Sequence, residues 1–304
     1  MKVTIIGAGA VGRTLAYTLL LGGGIRELLL VGRRRALVEA EVMDLRHAAT
    51  FSQSPTRIRA GEIEDAQGSE VVVICASAPG PKVLEDRNSL ATDNQRLMEE
   101  ILPPLAVAAP ECKLLMVSNP VDSLTWLAIR LTGFPPTRVM GTGTLVDSFR
   151  FRNLLSEEVQ INPFDLRAYI LGEHGETQFA AMSIALTGGE IISNNKERQE
   201  FGERAKHLGV EIFNAKGNTC YAIARAAALV VNSIIQDDHT TIPLSVKIDG
   251  FLGIDDVCLS LPSVIGANGV QRILHPRLNA DEEKAFHQCA EVVRKTITNF
   301  QCQA

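Results

Sequence analysis

A glycine-rich turn near the start of the chain constrains the fold more than any other feature. The run Gly7-Ala8-Gly9-Ala10-Val11-Gly12 follows an apolar stretch, Lys2–Ile6, and opens a stretch of helical spacing, Val11–Leu21. In such a strand–turn–helix unit, glycines permit a tight turn, close approach of the backbone to a pyrophosphate, and close helix–strand packing. The helix N-terminus presents free N–H groups to the phosphates. The pattern predicts a dinucleotide site rather than a turn that only packs tightly. Its cofactor-binding residues are Gly7, Gly9, Val11 and Gly12.

The first half of the chain alternates apolar runs with helical patterns. Nearly continuous apolar runs suit parallel strands covered on both faces, and the alternation predicts right-handed crossovers. The predicted strands are Lys2–Ile6, Leu28–Val31, Val71–Cys75, Leu114–Val117 and Arg138–Met140, and the predicted helices are Val11–Leu21, Ala36–His47, Leu90–Ala108 and Asp122–Leu131. We therefore expect an α/β fold with a Rossmann-type doubly wound parallel sheet over residues 1–144.

After about residue 145 the pattern changes, because strands become grouped apart from long helices. The predicted helices are Asp147–Leu155, Lys196–Ala215, Thr219–Gln236 and Ala280–Phe300. The predicted strands are Leu166–Leu171, Met182–Leu186 and Glu190–Ile192 (a hairpin around Gly188-Gly189), Ser245–Ile248, Val257–Leu261 and Ser263–Ile265. This grouping predicts a smaller α+β catalytic domain over residues 145–304.

Composition excludes several classes of protein. The 304 residues include 30 Lys and Arg against 35 Asp and Glu, and the net charge of −5 is the wrong sign for a general nucleic-acid binder. No apolar run approaches the ~18 residues that a membrane span needs, and the short apolar start does not predict a cleaved targeting segment. The cysteines are scattered without a CxxC pair, so we expect no metal site and reduced thiols in a cytoplasmic protein.

The residues after the second predicted strand bear on the ribose of the cofactor. An NAD-preferring site places Asp or Glu about 20 residues past the glycines, where it binds the ribose 2′-hydroxyl. Here that place holds Gly32, followed by Arg33-Arg34-Arg35. Guanidinium groups pair bidentately with phosphate, and no carboxylate is present to repel a 2′-phosphate. We expect Gly32, Arg33 and Arg34 to bind the cofactor, with NADP(H) preferred and NAD(H) also usable. The alternative is a solvated basic helix start.

Chemistry-bearing residues occur in three further segments. His174 lies between glycines in Leu171-Gly172-Glu173-His174-Gly175, at the end of a predicted strand. Asp147 and Arg150 are three residues apart on a predicted helix, which places a carboxylate and a guanidinium on one face. Asn119 follows the carboxyl end of a predicted sheet strand, where open α/β sheets bind ligands.

Together these segments resemble the lactate/malate dehydrogenase family, nearly from end to end. The matching motifs are the glycine turn, Val117-Ser118-Asn119-Pro120-Val121-Asp122, Asp147-Ser148-Phe149-Arg150-Phe151-Arg152, Gly172-Glu173-His174-Gly175, Ser260-Leu261-Pro262 and Gly266-Ala267-Asn268-Gly269. The resemblance implies reduction of a 2-oxo acid to an L-2-hydroxy acid by hydride transfer from a nicotinamide. It also implies a homodimer or homotetramer, whereas the expectation of no nucleic-acid or membrane partner comes from the net charge and the short apolar runs.

The resemblance implies a role for each residue of the site. His174 would exchange a proton with the substrate's C2 oxygen, and Asp147 would orient the imidazole and stabilise its charged form. Arg150 would grip the C1 carboxylate as a fork, although a surface ion pair with Asp147 is the alternative. Asn119 would bind near both the nicotinamide and the reacting oxygen, and Thr219 would begin the wall of the substrate pocket.

The segment that the family uses as a closing loop departs from the family pattern. Arg87 matches the loop arginine, which would polarise the carbonyl, with capping of the following helix as the alternative. The position that selects the substrate in the family holds Pro81, in place of Gln in lactate enzymes or Arg in malate enzymes. Lys82 follows, and it could reach a second carboxylate, so a malate dehydrogenase that uses Lys82 is one alternative function.

Two functions of a different class are also compatible with the dinucleotide motif. A non-catalytic redox sensor would bind the dinucleotide without needing a proton relay, and an NAD-dependent glycosidase would need a metal site of Cys and His. Arg152 and Arg167 match the places where some bacterial lactate enzymes bind a sugar bisphosphate. Two solvated surface arginines are the alternative to such an anion site.

Overall fold

The computed structural model describes residues 1–51, 55–79 and 90–301. In the first half the strands are β1 (Lys2–Ile6), β2 (Glu27–Val31), β3 (Arg57–Gly61), β4 (Val71–Ile74), β5 (Lys113–Met116) and β6 (Val139–Gly141). The helices between them are α1 (Ala10–Gly22), α2 (Arg35–Ala49), α3 (Ala91–Ala108) and α4 (Val121–Thr132).

These strands pair in parallel in the order β3-β2-β1-β4-β5-β6. The order reverses between β1 and β4, and open sheets of this kind bind ligands in the crevice at such a switch point. The four residues of β4 are fully buried, as an apolar run covered on both faces requires. The predicted Rossmann-type sheet is confirmed, and its crevice lies beside the glycine turn that follows β1.

The second half adds short strands and long helices. Its helices are α5 (Leu145–Val159), α6 (Lys196–Lys216), α7 (Tyr221–Gln236) and α8 (Ala280–Gln301). Its strands are β7 (Leu166–Arg167), β8 (Ile170–Leu171), β9 (Phe179–Ala180), β10 (Leu186–Thr187), β11 (Glu190–Ile191), β12 (Thr240–Asp249), β13 (Asp255–Gly266) and β14 (Gly269–Ile273).

One sheet runs through both halves of the chain. β12 pairs antiparallel with β6 at Ser245 and Gly141, and β13 and β14 follow β12 in the same sheet. The main buried core likewise includes side chains from both halves, such as Val73 and Phe286. The α/β fold with an additional α+β half is therefore as expected, but the halves share a sheet. The boundary at residue 144 stays a prediction.

Two local predictions were wrong in an informative way. The single strand predicted over Leu166–Leu171 divides, because β7 pairs with β10 whereas β8 pairs with β9. The two strands predicted around Pro262 form one strand, β13. Pro243 of β12 lies directly opposite Pro262, so both missing N–H groups fall on one rung of the ladder.

The predicted hairpin turn is present at its glycines. Gly188 and Gly189 both have positive φ angles, 53° and 92°, and connect β10 to β11 as a two-residue turn. The preceding residues, Met182–Ile184, form a short 3-10 helix and not the predicted strand. Among the helices of the described ranges, none combines the length and the apolar character that crossing a bilayer demands.

Candidate active site

A cavity of about 400 Å³ opens where the carboxyl ends of the parallel strands face the second half of the chain. The first half contributes residues that follow β4, β5 and β6, and the second half contributes residues of α5, α6, α7 and the segment after β8. Its walls include Val11, Ser77, Val117, Asn119, Thr142, Val146, Arg150, His174, Phe213, Thr219 and Ile223. The fold thus brings together Asn119, Arg150, His174 and Thr219, all of which the sequence motifs indicated.

The glycine turn has the shape that a pyrophosphate requires. Gly7 has a φ of +110°, and a Cβ there would fall 2.4 Å from the backbone nitrogen of Ala76. A Cβ on Gly12 would fall 1.9 Å from the carbonyl oxygen of Gly7, so helix and strand could not pack this closely. At Gly9, the N-cap of α1, a Cβ would meet nothing within 4 Å, and no side chain caps the helix. The turn is therefore closely packed at Gly7 and Gly12 and open at Gly9, where the first N–H groups of α1 lie. This arrangement fits a phosphate-binding cradle.

The end of β2 lies beside this cradle and carries exposed guanidinium groups. A Cβ on Gly32 would come 3.5 Å from the backbone nitrogen of Ala8, which places Gly32 next to the glycine turn. Arg33 and Arg34 are exposed, and among the described residues neither has an ion-pair or hydrogen-bond partner for its side chain. Arg35, in contrast, is already bound to carboxylates of Glu39 and Glu62, at 2.7 and 2.9 Å.

Asp147 connects the imidazole of His174 and the guanidinium of Arg150 at the cavity wall. Its Oδ2 lies 2.7 Å from His174 Nδ1, and its Oδ1 accepts a hydrogen bond from Arg150 at 3.1 Å. The Asp147 side chain is fully buried, whereas the His174 and Arg150 side chains are 13% and 14% exposed. One carboxylate thus orients an imidazole and a guanidinium that both retain access to the cavity. The surface ion pair considered for Arg150 does form, but at the cavity wall.

Polar side chains on one face of α5 hold it against β8, the strand that precedes the histidine. Thr144 Oγ1 donates to the carbonyl of Ile170 at 2.6 Å, and the Ile170 N–H donates to Ser148 Oγ at 2.9 Å. Arg152 Nε donates to the carbonyl of Ala168 at 2.8 Å. Thr144, Ser148 and Arg152 are four residues apart along the chain, which places them on one side of a helix. The sequence analysis did not use this spacing.

Arg152 belongs to the packing between α5 and the β7–β8 segment. It is only 3% exposed, and its guanidinium lies over the rings of Phe149 and Tyr169, at 4.7 and 4.9 Å. Burial lowers the pKa of Arg152 from its usual value. Arg167 is exposed. The two arginines therefore have different environments, which the sequence did not indicate.

Asn119 is held by a residue that no sequence motif indicated. The Asn94 side chain, fully buried in α3, donates to the backbone carbonyl of Asn119 at 2.7 Å and accepts from the N–H of Ala78 at 2.6 Å. The buried Oδ1 of Asn119 has no hydrogen-bond partner among the described residues. Such an acceptor at the cavity wall fits a ligand that donates a hydrogen bond, as the carboxamide of a nicotinamide does.

Asp122, in the first turn of α4, is a buried acid behind the histidine. Its Oδ2 accepts a hydrogen bond from the backbone N–H of His174 at 2.7 Å. Burial raises the pKa of Asp122 to about 7, and the nearby carboxylates of Glu173 and Asp147 act in the same direction.

The raised pKa of Asp122 makes stability depend on pH. The folded chain holds the proton more tightly than the unfolded chain, so stability falls as pH rises from about 4 through about 7. With about 1.4 kcal/mol for each tenfold change in the ionisation constant, the loss is on the order of 4 kcal/mol. We expect Asp122→Asn to lose less stability than the wild type between pH 5 and pH 8, as measured by urea unfolding. Equal losses in the two proteins would contradict this prediction.

Some predicted site residues fall outside the described ranges. Arg87, Pro81 and Lys82 are among residues 80–89, so their assignments stay predictions. In the ranges that the structure does describe, no three His, Cys, Asp or Glu side chains are grouped as metal ligands would be.

Comparison with known proteins gives matches along the whole chain. Two family models match: "lactate/malate dehydrogenase, NAD binding domain" over residues 1–141, and "lactate/malate dehydrogenase, alpha/beta C-terminal domain" over residues 144–302. The chain is 37% identical to an L-lactate dehydrogenase of Clostridium botulinum over 311 residues, which cover 99% of this chain and 97% of that one. It is also 37% identical to an L-lactate dehydrogenase of Acetivibrio thermocellus over 310 residues, covering 97% and 96%.

Among solved structures, the minor L-lactate dehydrogenase from Enterococcus mundtii in its ligand-bound form is similar to this chain. The TM-score is 0.92 at 28% sequence identity, and the match covers 98% of each chain. The similarity therefore extends through both halves of the fold.

Proposed function

The chain belongs to the lactate/malate dehydrogenase family and is a nicotinamide-dependent 2-hydroxy acid dehydrogenase, and we propose that it prefers NADP(H) and uses His174 and Asp147 as a proton relay. The observation that carries the proposal is the cluster of His174, Asp147 and Arg150 at one wall of the cavity. Its members supply a proton donor, the group that orients it, and a fork for a carboxylate.

In this proposal each residue acts on a stated atom of a 2-oxo acid. When bound, the reduced nicotinamide supplies the hydride for C2. Asp147 holds Nδ1 of the His174 imidazole, so Nε2 is the ring nitrogen that gives its proton to the C2 oxygen as negative charge develops there. Arg150 binds the C1 carboxylate, and Asn119 binds at the nicotinamide side of the cavity. In the reverse direction His174 accepts the proton of the hydroxyl.

For the substrate we propose a monocarboxylic 2-oxo acid, the simplest of which is pyruvate. Among the described lining residues, Arg150 is the one guanidinium or ammonium group, and Phe213 and Ile223 give the cavity an apolar side. The relatives named L-lactate dehydrogenase support the same substrate class and do not favour malate. The malate alternative depends on Lys82, outside the described residues. A panel of pyruvate, oxaloacetate, branched, aromatic and longer dicarboxylic 2-oxo acids tests the proposal, and an oxaloacetate rate far above all others would support malate.

The cofactor preference rests on Gly32 and the guanidinium groups that follow it. We expect kcat/KM with NADPH to exceed that with NADH at least tenfold. Each hydrogen bond to a charged group contributes ~1.5–3 kcal/mol, so Arg33→Ser/Arg34→Ser should lower kcat/KM for NADPH by about a hundredfold or more. Activity with NADH should change little. Steady-state kinetics with both cofactors measures this.

Arg35→Ser is the matched control, because Arg35 is adjacent in sequence but already bound to Glu39 and Glu62. It should leave the ratio of the two cofactors within about threefold. A wild-type enzyme that prefers NADH tenfold would contradict the proposal and leave the arginines as a solvated helix start.

We also propose that the chain acts as a homodimer or homotetramer. Tyr17 of α1 and Tyr221 of α7 are 47% and 73% exposed, and both line one surface concavity. Its other lining residues include the charged Arg13, Glu41 and Asp44. Exposed tyrosines are enriched at protein interfaces relative to the rest of the surface, which supports this proposal. The cytoplasmic location stays a prediction.

A further inference from the structure

Asp122 is a buried carboxyl group that the mechanism above does not use. The residue is 3% exposed and lies in the first turn of α4, three positions after Asn119. One of its oxygens accepts the backbone N–H of His174, and Ser245 on β12 is close enough to influence the pKa of the carboxyl group. A single side chain thus bonds α4 to the histidine segment, 52 positions further along the chain, at a place that β12 also borders.

We propose that Asp122 is a positioning residue for the dehydrogenase reaction, whose carboxyl oxygen fixes the main chain of His174 relative to Asn119 and the cofactor. The inference rests on the proposed role of His174 as proton donor. The histidine has two anchors, because Asp147 binds its ring and Asp122 binds its backbone. Asp147 is on α5 in the second half of the chain, whereas Asp122 is on α4, directly after the segment that carries Asn119.

The two anchors do different work. A bond to Nδ1 alone selects the tautomer and the ring direction, but the backbone and the ring could still move together. The bond from the backbone N–H to Asp122 removes that freedom. It fixes the position of the histidine relative to the segment that carries Asn119, on the nicotinamide side of the cavity. Displacement of a reacting group by about 1 Å can cost about a hundredfold in rate, so a second anchor has a measurable effect.

The hydrogen-bond acceptor, rather than the negative charge, is the feature that positions His174. The charged groups that act on Asp122 are Glu173 from the histidine segment and Asp147 from α5, both acidic, while β12 contributes the neutral Ser245. Cys258 of β13 and Cys289 of α8 are also close enough to be influenced by its charge. A neutral side chain with a carbonyl oxygen would give the His174 N–H the same partner at lower cost of burial.

The test compares Asp122→Ala with Asp122→Asn in the full-length enzyme. Asp122→Ala removes the acceptor, and we expect kcat with NADPH and the best 2-oxo acid to fall at least about thirtyfold. The KM for the 2-oxo acid and the Kd of NADPH should stay within about threefold, because Arg150 and the glycine turn are untouched. Asp122→Asn should restore kcat to within about fivefold of the wild type.

Thr125→Ala is the control for disturbance of α4. Thr125 is fully buried one turn further along the helix, and among the described residues its hydroxyl bonds only to the helix backbone at Val121. We expect a lower Tm but an unchanged kcat. A structural effect of Asp122 would instead lower kcat, cofactor affinity and Tm together, and the amide would not restore kcat selectively.

The proposal is overturned if Asp122→Ala keeps kcat within threefold, if the alanine and asparagine variants lose kcat equally, or if cofactor affinity falls in parallel with kcat. A wild-type protein that reduces no 2-oxo acid of the panel would refute the proposed function itself. The wild-type assay alone therefore distinguishes failure of the proposed function from failure of the proposed role of Asp122.

Discussion

Replacing His174 with glutamine is expected to lower kcat by about 10²–10⁴-fold, the range that a positioned general acid contributes. Glutamine can fill the space and keep a hydrogen bond toward Asp147, but its amide N–H is far too weak an acid to transfer a proton to the C2 oxygen. The Kd of NADPH should hardly change, because the glycine turn and the end of β2 lie elsewhere. Stopped-flow and steady-state reduction of a 2-oxo acid, together with NADPH titration, measure both quantities.

His287→Gln is the control for this variant, since His287 is exposed on α8, away from the cavity. It should leave kcat unchanged. If His174→Gln retained full activity, the proton relay would be wrong. A chain that binds the dinucleotide but reduces nothing in either form would point back to the sensor alternative.

Replacing Arg150 with lysine is expected to raise the KM for the 2-oxo acid by about 10–100-fold, which corresponds to one lost charge-assisted hydrogen bond of ~1.5–3 kcal/mol. Lysine keeps a positive charge near Asp147, but an ammonium cannot form the bidentate contact of a guanidinium with a carboxylate. Arg150→Leu removes both bonds and the charge, and kcat/KM should then fall by about 10²–10⁴-fold. Substrate kinetics at saturating NADPH give both values.

Arg204→Lys serves as the control, because Arg204 is half-exposed on α6 and pairs with Glu211 on the surface. It should not change KM. If the KM of Arg150→Lys stayed within twofold of the wild type, Arg150 would be only the ion-pair partner of Asp147 and not the carboxylate fork.

The parallel part of the fold could be predicted because its signal is local. The four buried residues of β4 form one continuous apolar run, and the glycines after β1 form one short motif. Both patterns can be recognised from adjacent residues alone. β3 escaped detection because it lies at the edge of the sheet with an exposed Arg57 and half-buried Arg59 and Ala60, so its sequence has no apolar run. β14 is another edge strand with exposed polar residues. Edge strands of this kind are specified by their neighbours more than by their own composition.

The site divides in the same way. His174, Asp147, Arg150 and Asn119 could be named because each stands in a motif. The structure brings His174, Arg150 and Asn119 to one cavity, with Asp147 buried behind the first two. The groups that hold them could not be assigned, since their contacts span the sequence. Asn94 reaches Asn119 across 25 positions, and Asp122 reaches His174 across 52. From the sequence alone, a single Asn or Asp in a helical stretch does not indicate which distant backbone group its side chain will bond to.

The pairing of β12 with β6 at Ser245 and Gly141 limits how the chain can be divided into fragments. Because the strand ladder continues across that pairing, a fragment that ended before residue 145 would present β6 as a bare edge with unpaired N–H and C=O groups. Exposed edges of this kind recruit other chains, so the nucleotide-binding half is prone to aggregate when expressed by itself. The same continuity opposes hinge-like separation of the halves, and chimaeras with relatives should exchange surface loops rather than halves.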